Sequence, residues 1–178
     1  MAAGPFVVSV ARLRHQQGAV APCVLEGLFD PAGELAAISL GASEVPAGAD
    51  VRFDGQLESI HKGVVVTGEV QSPWVGVCRR CATVVAGEIT THVRERYLEG
   101  AGPEDEEAYG FEGDLLDLGP MIRDAVILDL PLAPLCSEAC QGLCIQCGAD
   151  LNAGPCGCEA PLDPRWASLE VLRQPEEG

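Results

Sequence analysis

The stretch Pro131-Leu132-Ala133-Pro134-Leu135-Cys136-Ser137-Glu138-Ala139-Cys140-Gln141-Gly142-Leu143-Cys144-Ile145-Gln146-Cys147-Gly148-Ala149-Asp150-Leu151-Asn152 holds four cysteines, with Cys156 and Cys158 just beyond it and Cys78 and Cys81 far upstream. A tetrahedral zinc ion needs four thiolates about 3.8 Å apart, and a two-residue gap folded into a tight knuckle brings two sulfurs to that spacing. Eight of the nine cysteines therefore read as four ligand pairs, and Cys23 stands alone.

Two groupings are open. In the first, Cys78 and Cys81 combine with Cys136 and Cys140, while Cys144 and Cys147 combine with Cys156 and Cys158. In the second, Cys136 and Cys140 share an ion with Cys144 and Cys147. The first is favoured because it gives each ion two ligand pairs separated by enough chain to close a loop, and because it ties the C-terminal region to the sheet. Gly148, directly after Cys147, suits a knuckle turn that points backbone amides at sulfur, and Gly157 lets Cys156 and Cys158 converge across their one-residue gap. Two structural zinc ions are expected, although four thiolates also suit a single iron or an iron–sulfur cluster. Closed quartets leave no open coordination position, so these ions are expected to staple the fold.

Upstream, periodicity predicts a sheet. Residues 5–13 have strand character. The tract from Arg14 to Gly18 is polar and reads as a loop, with Arg12, Arg14 and His15 solvated on it. Cys23, between Pro22 and Val24, reads as a small buried hydrophobe. From Val51 to Glu58, Val51, Phe53 and Leu57 alternate with Arg52, Asp54, Gln56 and Glu58, the pattern of a half-buried strand. His61-Lys62-Gly63 supplies a turn, and Val64 to Val70 continues as the partner strand until Ser72-Pro73, which is expected to loosen the pairing. Cys78-Arg79-Arg80-Cys81 then forms a hairpin tip. Beyond it Val85, Ile89, Val93 and Tyr97 fall on one face of the returning strand, with His92, Arg94 and Arg96 on the other.

Glu99 to Asp117 carries eight acids without Lys or Arg, broken by glycines, and reads as a mobile acidic loop. Asp117 can cap a helix in which Leu118, Met121, Ile122, Ala125 and Val126 make one apolar stripe and Pro120 is tolerated in the first turn. Pro131 and Pro134 stop it, so that it lies on the sheet and delivers Cys136 and Cys140 toward the hairpin tip. Asp163-Pro164-Arg165 opens a short terminal helix with Trp166, Leu169 and Leu172 as its apolar side.

The fold class expected is thus α+β. An antiparallel β-meander domain with one packed helix spans 1–130, including the acidic loop 99–117 and helix 118–130. A Cys-rich, zinc-ribbon-like lobe spans 131–178.

Charge narrows the function. The 178-residue chain carries a formal net charge of −16, and each Zn(Cys)4 centre adds about two negative charges. Such a molecule repels a phosphate backbone at long range and attracts a basic protein, so any RNA contact must be local. Arg79, Arg80, Arg94 and Arg96 are the candidates for that contact. The opening Met1 to Val10 shows no targeting signal and nothing reaches membrane-spanning length, so a cytoplasmic chain with reduced, metal-ligating thiols is expected. Three scattered histidines supply no catalytic constellation, and no small-molecule substrate is expected.

At these residues the sequence resembles the YceD family of large ribosomal RNA subunit accumulation proteins. The resemblance rests on Cys78-Arg79-Arg80-Cys81, the Leu130-Pro131 helix exit, the block from Leu135 to Gly148 with Asp150-Leu151-Asn152, and Asp163-Pro164-Arg165 with Leu169. It spans roughly Val51 to Leu172, with Ile145 standing where the family often has proline. It implies a cytosolic bacterial factor, without catalytic activity, that supports accumulation or processing of large-subunit (23S) ribosomal RNA. Its partner would be a basic large-subunit ribosomal protein or a pre-large-subunit particle. Family members lacking the last four cysteines keep ligands matching the first grouping. A rival from another class is a zinc/thiol redox-sensing regulator whose hairpin pair releases its ion on oxidation; oxidant titration discriminates the two.

Overall fold

Alternation of Val51, Phe53 and Leu57 with charged neighbours makes one face of a strand apolar, and in the structure all three are buried. The computed structural model describes residues 4–28, 38–101, 105, 107–159 and 165. The strand in question is β5 (Asp50–Ile60). It turns through His61-Lys62, where Lys62 takes a left-handed φ of 58°, into β6 (Gly63–Val77), which returns as β7 (Val84–Glu99). These three antiparallel strands are the frame. Val64, Val66 and Val70 of β6 and Val93 and Tyr97 of β7 continue the buried face.

On the far side of β5 lies β2 (Val20–Leu28), antiparallel to it from Val20↔Glu58 to Leu28↔Asp50. Pro22 and Gly27 hide this strand from a pattern reading. Proline is tolerated because β2 pairs on one side only among the described residues. Cys23 is buried on β2 and burial pushes its thiol up, so it is the inert hydrophobe expected. The N-terminal strand is shorter than the composition suggests: β1 is only Val7–Ser9.

Three expectations are corrected. Ser72-Pro73 does not loosen the hairpin, since β6 stays paired to β7 through Ser72↔Ile89 and Pro73↔Glu88. The β5 ladder ends at Gln71, and the short strands β3 (Ser39–Leu40) and β4 (Ser43–Glu44) take over at Val75. Pro73 thus falls in the gap between two neighbours, where no ladder needs its missing N–H.

The acidic segment is not a loop throughout. It contains β8 (Tyr109–Phe111), parallel to the end of β7, and β9 (Leu115–Asp117), antiparallel to β1. Phe111 and Leu116 are buried and the Tyr109 ring stacks on Tyr97 with centroids 5.1 Å apart, which outweighs the repulsion among acids left facing water. Arg14 is not simply solvated: it pairs with Glu99 at 2.6 Å and Asp114 at 3.0 Å, fastening its loop to this segment.

The helix, α1, runs Gly119–Asp129 with Leu118, fully buried, at the cap position. Asp117 stands one residue earlier and accepts the Gly119 amide at 2.8 Å. Met121, Ile122, Ala125 and Val126 are buried against β6 and β7, each large side chain contributing about 1.5–3 kcal/mol of apolar burial. The architecture is a mostly antiparallel sheet with one helix, as the fold class expects. The terminal helix expected from Asp163 to Leu172 lies outside the described residues, Arg165 excepted.

Candidate metal centres

The Cys78-Arg79-Arg80-Cys81 turn closes the β6–β7 hairpin. Ala82 N–H donates to Cys78 O and Cys78 N–H to Thr83 O, both at 2.8 Å, and Ala82 takes φ 57°. The same turn recurs at Cys144-Ile145-Gln146-Cys147, where Gly148 N–H donates to Cys144 O at 2.8 Å with φ 73°. In both, the left-handed residue after the second cysteine swings the two sulfurs to one side.

Chain leaving α1 reaches the first turn along a defined track. Ser43 donates its hydroxyl to Pro131 O at 2.6 Å, and the Arg79 amide donates to Pro134 O at 3.0 Å. Cys136 and Cys140 arrive opposite the hairpin pair. Cys78 Sγ lies 3.8 Å from Cys140 Sγ, and Cys81 Sγ lies 3.6 Å from Cys136 Sγ. The four sulfurs are all within 4.8 Å of one another, and the 3.8 and 3.6 Å separations match the edge of about 3.8 Å that four bonds of about 2.3 Å to a tetrahedral ion require. Cys144, Cys147, Cys156 and Cys158 form a second group within the same limit. The structure thus assembles the first of the two groupings, and each group can hold a metal ion.

The groups differ in environment. In the inner one Cys78, Cys81 and Cys140 are buried beneath Val85 and Leu135, and only Cys136 is exposed. In the outer one Cys144 and Cys156 are half-buried and Cys147 and Cys158 exposed. Burial pushes the Cys78 thiol up, but hydrogen bonds from the backbone of Cys136, Cys81 and Arg80 and from the Cys81 side chain overcome it and hold it at about 6. Thr83, through its hydroxyl and its backbone, holds Cys81 below the usual thiol range. In the outer group the backbone of Cys147 and Gln146 brings Cys144 to about 6. Cys136 is pushed up to about 12 by Cys140 and Cys81, and Cys158 to about 12 by Cys147 and Cys156. Each group mixes stabilised thiolates with thiols that keep their protons, and a bound cation would displace those protons.

Several contributors were not legible from spacing. Arg80 Nη1 donates to Cys140 O at 2.8 Å and Glu138 O at 3.1 Å, so its side chain clasps the second ligand segment. Thr83 sits beside Cys81 with Oγ1 3.2 Å from Sγ. Asn152 accepts the Gln141 amide at 2.8 Å and directs its own amide at Cys140 Sγ at 3.6 Å. Of the four arginines considered for RNA, Arg79 and Arg80 lie at the hairpin tip. Arg94 and Arg96 lie on the outward face of β7, the former ten residues beyond Val84, or about 33 Å along the strand at 3.3 Å per residue. The structure does not gather the four into one patch.

A β-sheet whose longest hairpin ends in a two-cysteine knuckle, answered by a second such knuckle beyond the only α-helix among the described residues, defines an acidic scaffold with two four-cysteine groups. Residues 66–173 match the family model described as large ribosomal RNA subunit accumulation protein YceD, and the chain belongs to that family. It is 36% identical over 179 residues to an uncharacterized protein of Mycobacterium tuberculosis, covering 98% of this chain and 84% of that protein. It is 38% identical over 72 residues to the chloroplastic large ribosomal RNA subunit accumulation protein YCED homolog 1 of Arabidopsis thaliana, covering 40% of this chain and 22% of that one. The uncharacterized protein YlbN of Bacillus subtilis is 26% identical over 159 residues, 84% of this chain and 90% of that protein. No solved structure matches. No helix among the described residues is long and apolar enough to cross a membrane.

Proposed function

We propose that this chain is a non-enzymatic, cytoplasmic ribosome-biogenesis factor that supports accumulation and processing of large-subunit ribosomal RNA. It does so by holding a basic large-subunit ribosomal protein or a pre-large-subunit particle. The observation that carries this reading is membership of the YceD family over residues 66–173. Two zinc ions, one in each four-cysteine group, brace the C-terminal lobe in the manner of a zinc ribbon. Their four thiolates fill a tetrahedral shell, which gives them a structural role and leaves substrate no place on the metal. A net charge of −16 supports a basic partner over free RNA. Arg94 and Arg96, exposed on the outward face of β7, are the residues for a narrow RNA contact.

The test is depletion of the protein followed by gradient sedimentation and sequencing of large-subunit RNA ends, alongside native affinity capture and elemental analysis. Loss of large subunits, capture of their proteins and two zinc ions per chain are expected. Normal subunit profiles after depletion would defeat the proposal. Charge reversal of Arg94 and Arg96 should weaken co-sedimentation, and unchanged co-sedimentation would remove the RNA contact. The redox-regulator reading draws less support, because the hairpin pair it relies on is buried, Cys78 at 2% and Cys81 at 8% exposure.

A further inference from the structure

The two four-cysteine groups share a connecting segment, and its contacts are unusually direct. Leu143 N–H donates to Arg80 O at 3.1 Å and Leu151 N–H to Gly142 O at 2.9 Å, so residues 142–151 form a small loop docked on the hairpin tip. An isolated bridge between Leu143 and Asp150 closes that loop around the Cys144-Cys147 knuckle. The Asp150 carboxylate accepts both the backbone and side-chain amides of Asn152, at 2.9 and 2.7 Å, which fixes the rotamer that points Asn152 at Cys140 Sγ. One end of the loop therefore holds two ligands of the outer group, and the other end touches a ligand of the inner group.

We propose that the outer group is an exchangeable site for a thiophilic divalent cation, and that Asn152 is a positioning residue through which its occupancy tightens the inner, slowly exchanging site. This rests on the reading that both groups hold metal. Exchange requires a competing ligand or water to reach sulfur or metal. Cys147 and Cys158 are exposed, whereas three of the four inner cysteines are buried. An amide N–H directed at a metal-bound thiolate delocalises its charge and fixes its direction, and loss of such outer partners costs about 10–100-fold in metal affinity. With the outer ion gone, the loop loses its brace and Asn152 its aim. By linkage the coupling is reciprocal: whatever the outer ion adds to the inner site, the inner ion adds to the outer.

The experiment uses the full chain loaded with two zinc equivalents and excess chelator, release being followed with a metal-sensitive dye. Two phases of one equivalent each are expected, and Cys147→Ser with Cys158→Ser should abolish the fast one. Outer zinc leaves while the inner site is still filled, so by reciprocity Asn152→Asp should speed the fast phase by about tenfold or more while leaving the slow phase, in which the outer site is already empty, within about twofold. Asn152→Ala, which adds no carboxylate, should do the same. The triple variant N152A/C147S/C158S should release inner zinc no faster than C147S/C158S, because both changes cut one route. Two equivalents leaving in a single phase would overturn the proposal while sparing the two-ion reading. A chain that binds one equivalent would overturn both. A fast phase indifferent to Asn152 would overturn the coupling.

Discussion

Replacing Gly142 by alanine should open the outer lobe far more than the same change at Gly148, although both glycines hold nearly the same backbone, φ 77° and 73°. Left-handed φ costs an alanine about 1–2 kcal/mol, partly offset by about 0.4–1 kcal/mol from a stiffer unfolded chain. A Cβ on Gly148 meets nothing within 4 Å, so that substitution should cost about 1 kcal/mol. A Cβ on Gly142 would stand 2.9 Å from Arg80 O and 3.3 Å from Arg80 Cβ. That oxygen is the acceptor for Leu143 N–H, and the Gly142 carbonyl is the acceptor for Leu151 N–H. Relieving the contact must lengthen one or both of these bonds, each contributing about 0.5–1.5 kcal/mol. The total is about 2–4 kcal/mol. Hydrogen exchange on metal-loaded protein reads this locally. The Leu143 and Leu151 amides should exchange about 30- to 700-fold faster in G142A, and the Cys144 amide about fivefold faster in G148A. Equal acceleration in the two variants would refute the docking of this loop on Arg80.

Three further outcomes follow from the same geometry. Ala82 repeats the turn of Gly148 with a side chain that its φ of 57° disfavours, so Ala82→Gly should stabilise the metal-loaded chain by about 0.5–1 kcal/mol in denaturant titration. Tyr97 and Tyr109 are both raised above the ordinary value of 10, each by burial first and Tyr109 also by its bond to Asp124. The stability these neutral phenols contribute is fully present below pH about 10 and lost as pH rises further; as the chain has only two tyrosines, phenolate absorbance should appear only as the fold melts, and a folded-state titration at pH 10 would contradict this. Chelation should strip protection from amides of residues 132–158 while those of β5, β6 and β7 that face the core stay protected, as exchange mass spectrometry would show; uniform loss would mean the sheet itself depends on metal.

How much of this was readable in the sequence depends on the length scale of the signal. The paired cysteines and the alternation around Phe53 and Val93 are local patterns with fixed physical meaning, and both lead to the observed elements. The strand Val20–Leu28 was hidden because Pro22 and Gly27 break its pattern, and only its edge position makes them acceptable. Strands β8 and β9 were hidden by composition, since three-residue strands anchored by Phe111 and Leu116 sit among acids that dominate any average. The four arginines are close in sequence yet spread out along the hairpin, because closeness in sequence is distance along a strand. Asn152 and Thr83 carry no motif at all; their roles arise from which segments the fold stacks together.

The place of the inner sulfur cluster follows from where the hydrophobic core stops. On β7, Tyr97 and Val93 are buried, Ile89 and Val85 only half-buried, and Val84 73% exposed, so the hairpin runs out of the core as it approaches its tip. Near the tip, among the described residues, the hairpin has only the two-residue strands β3 and β4 beside it, and so small a sheet without a buried face is marginal in water. The tip's own cluster contains Cys78, Cys81 and Cys140 with only Val85 and Leu135 packed on it, too little apolar surface to hold a chain that arrives from α1. An ion held by the four sulfurs would supply there what packing supplies elsewhere, alongside the Arg80 clasp on Cys140 O. A large hydrophobe at Ala86 or Glu88 would not replace it: both side chains are exposed on the face opposite Val85 and Ile89.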